Sequence, residues 1–215
     1  MDYLDDDPLV ISATSYIKSY MSNYDASHSF DHIERVVRLA RYILSKSPSE
    51  PVLDARVVVL SSLLHDVGDR KYLKAGEDAT TMIAEVLRGL GAPDELAEKV
   101  QTICLGVSYS TEVKDPERIR ALISEHPELA VVQDADRIDA IGAVGLGRMF
   151  TYGGAKTGRS LGDSMQHLDD KLLRLEGMVK TDAGRQLAKD RTDRLRLFKQ
   201  WWVEETGFLS GAEGK

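Results

Sequence analysis

Apolar residues recur at helical spacing along almost all of this 215-residue chain. From about Ser29 to Lys46 they form one helical stripe, and a second stripe runs from Val52 to Val67 and ends at Gly68. The run "RVVVL" alone could be a strand, but continuous spacing over sixteen residues favours a helix. The same spacing predicts further helices near 77–90, 93–107, 116–125, 128–150, 161–180 and 182–206. The pattern therefore predicts an all-α fold.

The composition fits one globular domain rather than a disordered or repetitive chain. Apolar residues make up 42% and charged residues 29% of the sequence, which is ordinary for a soluble protein. The sequence contains no internal repeat, no low-complexity tract and no convincing linker. We therefore expect a single helical domain over residues 1–215.

Net charge and hydropathy limit the classes of partner that the protein can bind. A net charge of −7 argues against a nucleic-acid surface, because such surfaces need clustered Lys and Arg. No apolar run approaches the ~18 residues of a membrane span, and the acidic start "MDYLDDDPLV" is unlike a signal peptide. The lone Cys104 cannot form an internal disulfide. We expect a cytoplasmic protein without nucleic-acid or membrane partners.

The stretch "LLHDVGDRKY" concentrates charge at the end of an apolar helix. A lone histidine there is most simply a core imidazole with one hydrogen bond. His65 is followed directly by Asp66, and both side chains can bind one divalent cation if other elements supply the remaining ligands. The doublet is therefore a candidate for two of the ligands of a metal site.

His32 is the best histidine to complete such a site. It lies in "SFDHIERV", beside the apolar stripe of its helix, and so faces the core from the rim. His28 precedes it by four residues, and an i, i+4 histidine pair could also bind zinc. Ser29 resembles a helix start, however, which would leave His28 outside the helical register. The role of His28 stays open between metal binding and structure.

Two aspartates of "VVQDADRIDAIGAVG" face the core in a helical projection. At about 100° per residue, Asp136 and Asp139 fall on the same arc as the apolar residues, whereas Asp134 points nearly opposite. Buried carboxylates are costly unless a positive group meets them. A salt bridge could satisfy each alone, but with His32, His65 and Asp66 a metal is the better explanation. Whether Asp139 supports the ligands or is structural stays open.

The ordered pattern of His32, His65-Asp66 and Asp136 resembles the HD-domain metal-dependent phosphohydrolase superfamily. The segments "DASHSFDHIERV", "LLHDVGDRKY", "QDADRIDAIGAVG" and "HLDDKLLRLEGMVKT" all resemble its small stand-alone bacterial-type branch. The resemblance implies one HD domain, with its core at about 25–150 and C-terminal helices at about 160–206. It also implies that these four side chains bind one divalent metal, Mn²⁺ or Mg²⁺ foremost, with Co²⁺, Ni²⁺, Zn²⁺ or Fe²⁺ as alternatives.

A single metal is expected rather than two. Two-metal relatives add histidines between the doublet and the final aspartate, and only His126 lies in that interval here. A divalent cation can lower the pKa of water from ~16 toward ~7 and offset charge on phosphorus. Asp69, three residues after Asp66, resembles the acidic residue that follows the doublet in related nucleotide hydrolases. We predict that Asp69 is the base or positions the water; the alternative is a turn residue.

Four cationic residues are candidate ligands for substrate phosphates. Arg70 and Lys71 follow the doublet directly, and Lys171 lies on a later helix. Arg191 falls on an apolar stripe, where an arginine is either half of a buried ion pair or a phosphate ligand. The sequence alone leaves these two roles of Arg191 open.

The resemblance implies a metal-dependent phosphohydrolase that acts on a small phosphorylated metabolite, foremost a nucleotide. Some relatives are nucleoside triphosphate pyrophosphohydrolases, and the same class is expected here. A nucleotide 5′-monophosphatase is the first alternative, and a non-catalytic metal- and nucleotide-binding regulatory domain is the second. Asp69 favours an enzyme, because a binding module does not need a residue that positions water. The base, the sugar, the native metal and the oligomeric state stay open.

Overall fold

The all-α prediction is confirmed. A computed structural model describes residues 4–23, 29–48, 51–69, 73 and 76–210, without the side chains at 156–157 and 208–210. These residues form helices and no strand. The α-helices are α1 (Pro8–Tyr20), α2 (Phe30–Ser45), α3 (Ala55–Leu64), α4 (Met82–Gly89), α5 (Asp94–Val107), α6 (Tyr109–Lys114), α7 (Pro116–Glu125), α8 (Glu128–Asp139), α9 (Gly142–Tyr152), α10 (Leu161–Asp170) and α11 (Asp182–Ser210).

Two of these helices were not predicted from the sequence. Helix α1 begins with Asp7, whose carboxylate accepts hydrogen bonds from the backbone of Leu9 and Val10, and with Pro8 in its first turn. Both features are standard for helix N-termini. Helix α6 has only six residues and buries none of them. Helix α1, which is well capped, and helix α6, which is too short to show a period, were therefore both missed in the sequence.

Helices α2, α3 and α8 pack together in the centre of the molecule. Helix α3 is buried on all sides from Val57 to Leu64, which explains why its sequence lacks a polar face. Helices α2 and α8 each turn an apolar stripe toward it. The hydrophobic core extends from Leu4 to Leu195. That the chain forms a single domain stays a prediction.

The predicted helix at 128–150 is wrong as one element. It breaks into α8 and α9 at residues 140–141, and Gly142 has φ +74°, a conformation that strains residues with a Cβ. A Cβ on Gly142 would also lie 3.1 Å from the side chain of Arg191. The predicted helix at 161–180 likewise divides, into α10 and a 3₁₀ helix at Leu172–Met178.

The long C-terminal helix is anchored on α8 by Asp134. The Asp134 carboxylate is fully buried and accepts hydrogen bonds from the backbone N–H groups of Lys180 and Thr181 and from Thr181 Oγ1. Thr181 in turn caps α11, since its hydroxyl accepts the N–H of Gly184 at 3.1 Å. Asp134 thus points away from the other two aspartates of α8, as predicted. Among the described residues, none of the helices has the length and apolar character needed to cross a bilayer.

Candidate metal centre

The His65-Asp66 doublet lies on the turn that ends α3. Gly68 has φ +77°, and a Cβ on it would lie 3.1 Å from Ala79 Cβ. The N–H of Gly68 donates to the hydroxyl of Tyr20 at 3.3 Å, so α1 packs directly on this turn. The turn places the Asp66 carboxylate beside the imidazoles of His32 and His65, and Asp69 follows on the same turn.

Helices α2 and α8 bring one candidate ligand each to the doublet. His32 Nε2 lies 3.5 Å from an Asp66 oxygen and 3.6 Å from Asp136 Oδ1. His65 Nε2 lies 3.5 Å from the other Asp66 oxygen and 3.7 Å from the same Asp136 atom. The two imidazole rings meet edge to face, with centroids 5.3 Å apart. Two nitrogens and two carboxylates therefore converge on one point.

The orientation of His65 is determined by its own helix. Its Nδ1 lies 2.8 Å from the carbonyl oxygen of Ser62, which accepts a hydrogen bond and so assigns the Nδ1–H tautomer. The side chain is 2% exposed, and its Nε2 is buried without a hydrogen-bond partner among the described residues. Such an unsatisfied buried nitrogen is unusual. The lone pair of Nε2 points to the centre of the cluster.

His32 is oriented by Asp139, a fully buried carboxylate. His32 Nδ1 donates to Asp139 Oδ2 at 2.8 Å. Two arginines neutralise the carboxylate: Arg35 Nε donates to Asp139 Oδ1 at 2.7 Å, and Arg148 Nη1 donates to Oδ2 at 3.0 Å. A carboxylate behind a ligating histidine holds the tautomer and raises its basicity. Asp139 therefore supports the site from behind rather than facing its centre.

The titration behaviour of the cluster favours a positive charge at its centre. Burial by itself lowers the pKa of His65, but the charges of Asp66 and Asp136 raise it to about 9. Burial raises the pKa of Asp136, yet the neighbouring imidazoles hold it well below its usual range. Burial lowers the pKa of His32, which favours the neutral imidazole that binds metals. The carboxylates thus stabilise either a proton on His65 or a cation in its place.

The donor set fits one divalent cation. One donor atom each from His32, His65 and Asp66 lies within 4.8 Å of the others, and Asp136 Oδ1 is near both nitrogens. Ligands at about 2.1 Å from one ion are ~3.0–3.5 Å apart, close to the observed separations. Asp66 and Asp136 are 17% and 27% exposed. The cluster is therefore accessible from solvent on its carboxylate side.

The remaining predicted site residues fall in several places. Asp69 is half-buried on the doublet turn, and its carbonyl accepts the N–H of Leu73. Lys171 ends α10 with its Nζ 5.0 Å from the centroid of the Tyr109 ring. Arg191 donates to the carbonyl of Ile138 at 2.7 Å. The functional roles of Asp69, Lys171 and Arg191 stay predictions. Three further candidates lie outside the described residues, namely His28, Arg70 and Lys71.

Two arginines of the site were missed in the sequence. Arg35 follows His32 by three residues and so shares its helix face, which is a signal that could have identified it. Arg148 carried no such signal. On the continuous helix that was predicted it would lie about 13 Å along the axis from Asp139, so the contact depends on the break before α9.

Comparisons with known proteins agree on one family. The HD domain family model matches residues 29–141. The uncharacterized protein YpgQ of Bacillus subtilis is 33% identical over 190 residues, which cover 86% of this chain and 87% of the relative. The crystal structure of YpgQ in complex with ADP has a TM-score of 0.71 and 31% identity, over 89% of this chain and 97% of that one. An HD-superfamily hydrolase from Bacillus thuringiensis has a TM-score of 0.67 and 25% identity, over 92% and 96% of the two chains.

Proposed function

The chain belongs to the HD domain family, and on that premise we propose that it is a metal-dependent nucleoside triphosphate pyrophosphohydrolase. The observation that carries the proposal is the convergence of His32 Nε2 and His65 Nε2 on Asp66 and Asp136 within 3.5–3.7 Å. The unsatisfied, buried Nε2 of His65 needs a partner at that point, and a divalent cation is the partner that all four groups share.

Nucleotide binding is supported by a relative. YpgQ, which resembles this chain over most of its length, has been solved in complex with ADP. Nucleotide phosphates carry several negative charges, and the site adds Arg35 and Arg148 to a metal centre. With neutral imidazoles, the three carboxylates are outweighed by two guanidiniums and a divalent cation. These groups thus sum to +1 when the cation is bound, and an ionised Asp69 brings the sum to zero, so the loaded site has no net negative charge to oppose a polyphosphate.

Each protein group then has a defined task. His32, His65, Asp66 and Asp136 would hold the metal, Mn²⁺ or Mg²⁺ foremost. A divalent cation held there supplies Lewis acidity, which acidifies water and offsets the negative charge that develops at phosphorus. Asp69 accepts a proton from the water whose oxygen forms the new bond to the α-phosphorus.

The bond that breaks joins the α-phosphorus to its bridging oxygen, and the electron pair leaves with pyrophosphate. The products are a nucleoside monophosphate and pyrophosphate, and no redox partner is required. Cations beyond the metal bind the departing phosphates, and Arg70, Lys71, Lys171 and Arg191 stay candidates for that task. Pyrophosphate is a good leaving group, so one bound cation together with Asp69 would supply what this step needs.

The test is product analysis with purified protein. Nucleoside mono-, di- and triphosphates are incubated with Mn²⁺, Mg²⁺, Co²⁺ or Ni²⁺, without added pyrophosphatase, and separated by anion-exchange chromatography. We expect a monophosphate and pyrophosphate in equal amounts from a triphosphate. Orthophosphate from monophosphates alone would instead support a nucleotide 5′-monophosphatase. Tight nucleotide binding without turnover under any of these metals would support a regulatory domain.

A further inference from the structure

The end of the C-terminal helix α11 is exposed on all sides. The helix has 29 residues, whereas the next longest of the described helices, α2, has 16. From Val203 to Gly207 every residue is exposed. Isolated helical turns are marginal in water, and most helices in proteins depend on tertiary packing for their stability. The last turns of α11 therefore lack packing against the described part of the chain.

Two large apolar side chains of α11 are exposed on a face that does not pack on the molecule. Leu197 is 44% and Trp201 is 51% exposed, and residues four apart are neighbours on a helix surface. The packed face is a different one, since Phe198 and Trp202 contact Phe150 of α9. Tryptophan is highly buried on average. Leu197 and Trp201 therefore form the centre of an uncovered apolar face.

Charged residues flank this apolar pair, with opposite signs at its two ends. Arg194 lies three residues before Leu197, and Glu204 and Glu205 lie three and four residues after Trp201. All three charged side chains are exposed. At about 100° per residue, the five residues project from one arc of about 100° around the helix. The face thus carries a cation at one end, apolar groups in the middle and anions at the other end.

We propose that α11 pairs with α11 of a second copy of this chain, antiparallel, about a two-fold axis at the level of residue 199. Leu197 then packs on the partner's Trp201. At a rise of about 1.5 Å per residue, Arg194 lies ~7.5 Å from the axis on one side and Glu204 ~7.5 Å on the other. Arg194 therefore comes level with the partner's Glu204, and Glu205 lies one residue further along the helix.

The charges favour this orientation and this partner. A parallel pair would place Arg194 against the partner's Arg194 and each glutamate against its own copy, and like charges across an interface oppose association. The antiparallel pair replaces both repulsions by attractions. A two-fold interface must be complementary to itself, and this face meets that condition at both ends. The inference does not depend on the proposed function, because none of these residues belongs to the metal centre.

The test is sedimentation equilibrium of the purified full-length protein at several concentrations. Interfaces below about 1,200 Å² are weak, and we expect a dimer with a Kd of about 1–100 µM. Trp201→Glu should weaken association at least about 10-fold, because it places a carboxylate in the apolar centre of the interface. Leu197→Glu is a second variant with the same expected effect, should Trp201→Glu not fold.

Val203→Glu is the matched control on the same helix. Val203 is 58% exposed, but it lies about 140° around the helix from the middle of the proposed face. Its variant should associate like wild type. Equal weakening by Val203→Glu and Trp201→Glu would show that the proposed face is not the interface, and would overturn the inference.

A charge swap tests the orientation. Arg194→Glu should weaken the dimer about 3- to 30-fold, because two symmetric ion pairs become repulsive. Combining it with Glu204→Arg and Glu205→Arg should restore association, and failure to do so would refute the antiparallel pairing. A dimer that neither Trp201→Glu nor Leu197→Glu weakens would overturn the proposal. A monomer at every concentration would leave the face to a different protein and would overturn it as well.

Discussion

His32 Nδ1 donates a hydrogen bond to Asp139 at 2.8 Å across 107 residues of sequence, and both side chains are buried. This contact fixes the imidazole tautomer that leaves Nε2 to face His65, Asp66 and Asp136. The same carboxylate binds Arg148. A single aspartate therefore connects a proposed metal ligand on α2 to Arg148 on α9, although it does not itself face the centre of the cluster.

The first prediction concerns this supporting carboxylate. Asp139→Asn should weaken Mn²⁺ binding about 10- to 100-fold, because a neutral amide holds the His32 tautomer less firmly and lowers its basicity. Calorimetric titration of metal-free protein measures the change. Asp134→Asn is the control on the same helix: it removes the anchor of α11 and should lower the free energy of unfolding by about 1–3 kcal/mol without changing the Mn²⁺ Kd. Equal metal affinity in Asp139→Asn and wild type would refute the role.

The burial of Asp139 could be predicted from the sequence, whereas its contact with Arg148 could not. Helical spacing places residue 139 on the apolar face of α8, and it is fully buried there. That contact depends on the break between α8 and α9, where Gly142 has a positive φ, and spacing alone does not encode the break. A tertiary contact of this kind depends on the direction that the chain takes after a helix break. A single sequence does not specify that direction.

The same limit applies to the N-terminal helix. Its capping residues Asp7 and Pro8 are local signals and could have been identified, but its position could not. The hydroxyl of Tyr20 accepts the N–H of Gly68, which joins α1 to the turn of the doublet. Pattern analysis identifies elements from their own residues. It does not tell which side chain of one helix reaches the backbone of a distant turn.

A second prediction tests the metal ligands. His65→Ala and Asp136→Ala should each lose stoichiometric manganese in elemental analysis, because each removes a donor from a set whose atoms are 3.5–3.7 Å apart. His126→Ala is the matched histidine control. His126 ends α7 beside Glu125 at 3.7 Å, and its variant should keep the metal. Full occupancy in either ligand variant would show that the ion binds elsewhere.

A third prediction concerns the proposed base. Asp69→Asn should keep the metal and the fold and should lower kcat by about 10²-fold or more, because the amide cannot accept a proton from water. Asp78→Asn is a control in the following segment. Asp78 is exposed, and its carboxylate accepts hydrogen bonds from the backbone N–H and the hydroxyl of Thr80, so turnover should not change. Normal kcat in Asp69→Asn would make it a turn residue.

A fourth prediction concerns the glycine between Asp66 and Asp69. Gly68→Ala should cost about 1–2 kcal/mol of unfolding free energy for the positive φ, and more because the new Cβ lies 3.1 Å from Ala79 Cβ. Gly76→Ala separates the two effects: Gly76 has φ +89°, but its Cβ would meet no atom within 4 Å. Urea unfolding should show the larger loss for Gly68→Ala, and only that variant should lose Mn²⁺ affinity. Equal losses of unfolding free energy in the two variants would mean that Ala79 moves away from the new methyl group at no cost.

The last prediction concerns Glu128, a buried carboxylate at the start of α8. Its Oε1 accepts hydrogen bonds from the N–H of Asp54 and from Lys99 Nζ. Burial raises its pKa, but these bonds outweigh burial and leave it below the ordinary 4.5. A depressed pKa adds stability above about pH 4.5 that is lost as pH falls through the folded value. Glu128→Gln should therefore cost about 1–2 kcal/mol at pH 7, and urea titrations should show the deficit narrowing toward pH 4. The exposed Glu125→Gln should show neither effect, and a deficit that does not change with pH would contradict the charge-based explanation.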